Sequence, residues 1–149
     1  MLNVTKRINI VSIKLVKESS FLYQTLTISS PKDAYEMIKD QLQDLDREQF
    51  IIACLNTKNE PTNLSVVSVG TLNKAIIHPR EVFKTAILSN AASVMAFHNH
   101  PSGDTTPSDQ DIQLTHRLVE AGELLGIKLL DHLIIGGGSF TSLKEKGYL

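Results

Sequence analysis

The sequence predicts a mixed α/β domain, in which a mixed β-sheet is flanked by helices. The chain has 149 residues, about the length of one domain. Its composition, 42% apolar and 21% charged, is that of an ordinary soluble globular protein. Strand-like apolar runs alternate with helix-like patterns along the chain, and no internal repeat is present. We therefore expect one core, built on a sheet with helices packed against it.

The first element is predicted to be a helix that begins after Ser30. Ser30 is an N-cap candidate, Pro31 suits the first helical position, and Asp33 adds an acid to the first turn. The helix should end within residues 44–47. Its apolar stripe comprises Ala34, Met37, Ile38 and Leu42.

Runs rich in apolar and β-branched residues predict the strands. Residues 50–56 (FIIACLN) and 64–70 (LSVVSVG) flank a polar turn and should form a hairpin. Residues 92–98 (ASVMAFH) form a further buried strand. Two more strands are expected near residues 128–135 and 140–143.

Two further helices are predicted between these strands. Pro79 opens one that covers residues 79–88. Its expected inward residues are Val82, Phe83, Ala86 and Ile87. The other covers residues 108–125 and follows a loop rich in Pro, Gly, Ser and Thr.

Residues 1–26 are expected to form an N-terminal, strand-forming extension. Four basic residues interrupt the apolar residues at its start, which excludes both a signal-peptide core and a membrane span and indicates a cytoplasmic protein. They are Lys6, Arg7, Lys14 and Lys17. Such lysines typically protect an exposed strand edge, whereas contact with nucleic-acid phosphate is the alternative. Exposed strand edges would also accommodate a homodimer.

Charge and cysteine content exclude several classes of protein. Fifteen basic and sixteen acidic residues give a net charge of −1, which argues against the broad basic face of a dedicated nucleic-acid-binding protein. Cys54 is the only cysteine, so an intramolecular disulfide and a multi-cysteine zinc module are both excluded.

The residues that suggest chemistry lie at the end of the strand at residues 92–98. His98 and His100 are two apart, so their side chains lie on the same side of an extended backbone. The following loop can bring Asp111, at the start of the next helix, back towards them. Two histidines and one carboxylate, with a fourth position open to water, are typical of catalytic zinc sites.

Simpler structural roles compete with these assignments. Ser108 and Asp111 have the spacing of a helix capping box, which would only satisfy free N–H groups of the first turn. Asp131 and His132 could form a buried pair that orients a metal ligand. Strand alternation could equally place one or both of them on the solvent face.

The motif His98-x-His100-x7-Ser108-x2-Asp111 resembles the JAMM motif of JAB/MPN metalloproteases, which include zinc-dependent isopeptidases. Residues 70–136, from GTLNKAIIHPREVFK to LLDHLIIG, are similar to the RadC family, bacterial proteins traditionally described as DNA repair proteins. The resemblance begins near residue 27. It implies a cytidine-deaminase-like three-layer fold for residues 27–149, in a short single-domain form without the family's helix-hairpin-helix region.

The resemblance also implies a mechanism and its residues. The metal ligands would be His98, His100 and Asp111, with Zn2+ as the cofactor. A glutamate would act as general base on the zinc-activated water, and Ser108 would donate a hydrogen bond to the oxyanion. Glu48, directly before a core strand, is the assigned base, and Glu81 near a helix start is the rival. The substrate would be a peptide or isopeptide-like amide of a protein; the alternative is a DNA-repair-associated accessory protein with a structural or non-peptidase zinc site.

Overall fold

The computed structural model describes residues 1, 5–24, 27–70 and 77–149. These residues form three helices and five strands. In chain order they are α1 (Pro31–Leu42), β1 (Gln49–Leu55), β2 (Pro61–Val69), α2 (Pro79–Leu88), β3 (Ser93–Asn99), α3 (Asp109–Leu125), β4 (Lys128–Gly136) and β5 (Ser139–Ser142).

The five strands form one mixed sheet in the order β2-β1-β3-β4-β5. β1 pairs antiparallel with both β2 and β3, and β4 pairs antiparallel with β5. β3 and β4 run parallel, and α3 provides the crossover between them. The predicted mixed sheet is therefore confirmed.

Helices cover the two faces of the sheet and give the predicted three layers. On one face, α1 packs over alternate strand residues such as Ile51, Phe97 and Leu133. On the other, α2 and α3 pack over residues such as Ile52 and Ala96. Because side chains alternate along a strand, each central strand contributes to both cores.

α1 begins and packs as predicted. The Ser30 hydroxyl accepts the backbone N–H of Asp33 at 3.2 Å, which satisfies one free donor of the first turn. The whole predicted stripe is buried. The helix ends at Leu42, before residues 44–47; two exposed residues follow, and Leu45 packs against the same core outside the helix.

The remaining helices also begin and end close to prediction. Of the residues of α2 predicted to face inward, Ile87 does not, since it is 52% exposed. It lies about 100° around the helix from Ala86 and so falls outside the stripe that faces the sheet. α3 ends at Leu125, and the next residue, Gly126, has a φ of +71°, the left-handed conformation common after a helix.

The hairpin of β1 and β2 is longer than predicted. β2 begins at Pro61, three residues before the predicted start at residue 64, and its partner at that end is Leu55. The turn is closed by Asn56, whose side-chain oxygen accepts the N–H groups of Lys58 and Glu60. These bonds allow the polar residues before Leu64 to join the ladder.

The strand predicted for the N-terminal extension is absent from residues 5–24, so that prediction is wrong for this described part. Most side chains here are exposed, including Ile8 and Ile10. A strand needs a partner for its backbone groups, and no strand of the described sheet pairs with this segment. Residues 2–4, 25 and 26 of this segment lie outside the described residues. Among the described helices, none is long and apolar enough to cross a membrane.

Candidate metal centre

The candidate metal centre lies at the carboxyl end of β3, on the face covered by α2 and α3. His98 follows Val94 and Ala96 on that face. His100, the next residue of the same parity, continues the direction of the strand because its N–H bonds to the carbonyl of Ile135 at 2.8 Å. Both imidazoles therefore project towards the start of α3.

Three potential ligand atoms converge on one point. The Nε2 atoms of His98 and His100 are 3.0 Å apart. Asp111 Oδ1 lies 3.2 Å from His98 Nε2, and Asp111 Oδ2 lies 3.3 Å from His100 Nε2. Around a tetrahedral zinc ion with bonds of about 2.0–2.1 Å, neighbouring ligand atoms are about 3.3 Å apart. The spacing of this donor set therefore fits a zinc ion.

The capping box at the start of α3 orients the Asp111 carboxylate. Ser108 Oγ accepts the N–H of Asp111 at 3.1 Å, and Asp111 Oδ2 accepts the N–H of Ser108 at 2.8 Å. The capping interpretation is thus confirmed, and it is compatible with a ligand role since the same carboxylate faces both histidines. Burial alone would raise the pKa of Asp111, but the adjacent imidazoles of His100 and His98 outweigh it and lower that pKa.

The ring of His100 is fixed from its far side. Its Nδ1 lies 2.7 Å from the carbonyl of Asp104, and a carbonyl can only accept, so Nδ1 carries a proton. In the neutral ring, Nε2 then presents its lone pair to the centre. The neighbouring Asp111 carboxylate raises the pKa of His100.

The ring of His98 is held by a buried chain of polar groups. His98 Nδ1 lies 2.7 Å from His132 Nε2, and His132 Nδ1 lies 2.7 Å from the Thr115 hydroxyl. All three residues are fully buried. Burial lowers the pKa of His132 well below its usual value, so this ring is neutral at physiological pH.

Asp131 and His132 are both buried, so of the two alternatives the buried arrangement is the one observed and the solvent-facing one is excluded. A register shift in the pairing of β4 with β3, between Val94 and Met95, sets their positions. His132 contacts His98, whereas Asp131 accepts the Ser142 hydroxyl at 2.6 Å. Burial raises the pKa of Asp131, and the hydrogen bond from Ser142 opposes that rise.

Glu48 lies directly before β1, at the side of the centre. It is half-buried and lines an open cavity together with Arg47 and Pro101, the residue after His100. The charge of Glu48 contributes to the raised pKa of His100. A carboxylate in this position can accept and return a proton near the three ligand atoms.

Asn99 holds the segment that carries Glu48. Its side-chain oxygen accepts the N–H of Gln49 at 2.7 Å, and its amide nitrogen donates to the carbonyl of Arg47 at 3.0 Å. The amide thus brackets Glu48, while Asn99 itself lies between the two histidines in the chain and is buried. One residue therefore links the candidate base to the candidate ligands.

The rival residue Glu81 has a different environment. It is exposed in the first turn of α2 and pairs with Lys84 at 3.0 Å. An acid here stabilises the helix terminus and forms a surface ion pair.

Three contributions to the site were missed by reasoning from the sequence. They are the bracket made by Asn99, the carbonyl of Asp104 and the hydroxyl of Thr115. Thr115 had a detectable signal, because it lies four residues after Asp111 and so on the same side of the helix. The other two contacts depend on tertiary structure, which local patterns do not encode.

Fold and site together define a three-layer α/β domain with a candidate two-histidine, one-carboxylate metal centre. Residues 28–148 match the family model described as the RadC-like JAB domain, and the chain belongs to this family.

Curated relatives share this domain. A UPF0758 protein of Desulforamulus reducens is 54% identical over 122 residues, which are 82% of this chain and 54% of that protein. The UPF0758 protein YsxA of Bacillus subtilis is 50% identical over 136 residues, 91% of this chain and 57% of that protein. A UPF0758 protein of Methanosarcina barkeri is 50% identical over 122 residues, 82% and 53% respectively. The chain therefore spans little more than half the length of these relatives.

Proposed function

We propose that this domain is a zinc-dependent metallohydrolase of the JAMM type, which hydrolyses a peptide or isopeptide-like amide. The observation that carries the proposal is the convergence of two imidazole nitrogens and one carboxylate at the end of a buried strand, with one potential ligand atom from each residue within 4.8 Å of the others. Membership of the RadC-like JAB family supports the same chemistry.

The residues present fit a zinc ion held by His98, His100 and Asp111. Two histidine nitrogens and one carboxylate are typical of zinc sites that leave one coordination position open. When bound, zinc lowers the pKa of a coordinated water and polarises a carbonyl oxygen.

Two residues would move or donate protons in the reaction. Glu48 would accept the proton of the attacking water and return it to the leaving amine, since its carboxylate lines the cavity beside His100. Ser108 is exposed at the start of α3 and uses its oxygen lone pair for the N–H of Asp111. Its hydroxyl proton can therefore be donated to a developing oxyanion.

The test is metal analysis of the purified protein combined with hydrolysis of a peptide and isopeptide library. We expect bound zinc and cleavage that stops when a chelator is added and returns with zinc. Zinc-loaded protein that cleaves no member of the library at a rate above the metal-free protein would contradict the proposal.

A DNA-associated accessory role is the second candidate. It is supported by the exposed basic segment that contains Lys6, Arg7, Lys14 and Lys17. If this role were the true one, affinity for duplex DNA would fall steeply with salt, because each phosphate contact releases a counterion. Such affinity without metal-dependent hydrolysis would favour the second candidate over the first.

A further inference from the structure

We propose that His132 and Thr115 are positioning residues that fix the tautomer and the ring orientation of His98. In this arrangement the lone pair of His98 Nε2 faces His100 and Asp111. The proposal rests on the metal site of the proposed function, but it does not depend on which reaction the site performs.

The direction of each hydrogen bond follows from its acceptor. Thr115 Oγ1 lies 2.7 Å from the backbone carbonyl of Asp111, which can only accept, so Thr115 donates its single proton there. The Thr115 oxygen must then accept from His132 Nδ1 at 2.7 Å. His132 is fully buried, where a second ring proton would add an unpaired charge, so its Nε2 has no proton and accepts from His98 Nδ1 at 2.7 Å. His98 Nε2 is left as the atom with a free lone pair.

This chain of bonds connects the two ligand-bearing elements. It starts at His98 on β3, crosses to His132 on β4, and ends on α3 at Thr115, one helical turn after Asp111. The side chains of His98, His132 and Thr115 are fully buried. Because solvent does not reach them, a lost partner is not replaced by bulk water.

His132 is not itself a fourth ligand in this arrangement. Its Nε2 bonds to the Nδ1 of His98, on the side of the His98 ring away from the converging atoms. Its Nδ1 is occupied by Thr115. The imidazole of His132 therefore acts on the centre only through His98.

The decisive variant is Thr115→Val, which removes the hydroxyl but keeps the branched shape. Zinc affinity is measured by competition with a chromophoric chelator, on protein shown by circular dichroism to be folded. We expect weaker zinc binding, by at most the roughly 10–100-fold that loss of the direct hydrogen-bond partner of a ligating histidine usually costs, because Thr115 acts on His98 through His132. Thr115→Ser keeps the hydroxyl and should bind zinc like the wild type. Leu118→Ala, which opens a cavity one turn later in the same buried helix face, should lower stability without weakening zinc binding.

A second measurement locates the ring protons of the histidines directly. Long-range proton–nitrogen NMR spectra of the histidine rings in the zinc-loaded wild type should show a proton on Nδ1 of both His98 and His132. In Thr115→Val, the proton of the His132 ring should no longer be confined to Nδ1.

Wild-type zinc affinity in folded Thr115→Val, or a proton on Nε2 of His132 in the wild type, would overturn the proposal. A wild type that binds no zinc would overturn this proposal and the metal site together. If the zinc affinities are as expected but no hydrolysis is observed, only the proposed function is contradicted.

Discussion

Glu48 and Glu81 show how the surroundings of a residue separate two candidates for the same role. Glu48 is half-buried between the two backbone groups held by Asn99, and its charge acts on His100. Glu81 is exposed on α2 and forms an ion pair with Lys84. The general-base assignment to Glu48 remains a prediction, and it can be tested directly.

We predict that Glu48→Gln lowers the turnover of a metal-dependent cleavage by roughly 10²–10⁴-fold, the usual contribution of a general acid–base group. Zinc content should be unchanged, because the substitution removes none of the three ligands. Steady-state kinetics together with metal analysis measure both quantities. Glu81→Gln is the matched control and should retain activity; the opposite pattern would transfer the role to Glu81.

Asn99→Asp tests whether the two hydrogen bonds of the Asn99 side chain position Glu48, because the new side chain is almost isosteric. A carboxylate can still accept the N–H of Gln49, but it cannot donate to the carbonyl of Arg47. We expect turnover to fall by up to about 10²-fold, since small misplacement of a reacting group has effects of this size. KM should change little. Unchanged turnover in the folded variant would show that the bracket does not position Glu48.

At the residue scale, sequence spacing predicted which side chains converge, because alternation on a strand and a capping box are local rules. His98, His100 and Asp111 are indeed brought together. The partners of these residues were not predictable in the same way. His132 reaches His98 only because β4 lies beside β3, and Asn99 reaches the residues on either side of Glu48 only because β1 lies on the other side.

At the element scale, the turn between β4 and β5 supports the loop that carries His100. Gly136 lies so close to this loop that an added Cβ would be 3.0 Å from the carbonyl oxygen of His100 and 3.2 Å from Gly103. Both contacts are with backbone atoms, so the loop would have to move to admit a side chain.

We therefore expect Gly136→Ala to weaken zinc binding, as measured by chelator competition, because the shifted loop displaces His100. Gly138→Ala in the same turn is the control. An added Cβ there meets nothing within 4 Å, but the φ of +74° is unfavourable for alanine. It should cost about 1–2 kcal/mol of stability and leave zinc affinity intact. Equal zinc affinity in both variants would contradict the role of the turn.

The existence and order of the elements were predictable because apolar periodicity, Pro31, Pro79 and the capping residues are local signals. The ends of elements were less predictable. Residues 61–63 are polar, yet they join β2 because the neighbouring strand β1 supplies partners for their backbone groups. Local composition does not reveal such pairing.

At the scale of the whole molecule, the N-terminal segment is separate from the folded core. Residues 5–22 are exposed, and among the described residues none of them forms a hydrogen bond. Tyr23 is the first residue that packs against the core on the α1 side. The predicted domain boundary near residue 27 is thus open to a direct test.

We expect a chain lacking residues 1–20 to unfold within about 4 °C of the intact chain, because a larger shift would require the loss of about 1 kcal/mol or more. Calorimetry of the two chains measures this difference. A much lower Tm would mean that the segment packs on the domain. Light scattering of the same pair also tests the predicted homodimer, since loss of a dimer on truncation would assign the interface to this segment.

A mixed α/β domain could be predicted from the alternating strand-like and helix-like patterns, whereas its three layers were implied by the resemblance to the RadC family. The predicted N-terminal strand is absent from residues 5–24 because no edge of the described sheet pairs with them. Apolar residues such as Ile8 and Ile10 satisfy the pattern of a strand while remaining exposed.

The central claim is that His98, His100 and Asp111 bind one zinc ion. The most direct measurement is zinc stoichiometry and affinity for the wild type beside Asp111→Asn, which keeps the size of the side chain but removes its charge. We expect one zinc per wild-type chain and strongly weakened binding in the variant. Equal zinc binding by the folded variant and the wild type would contradict it.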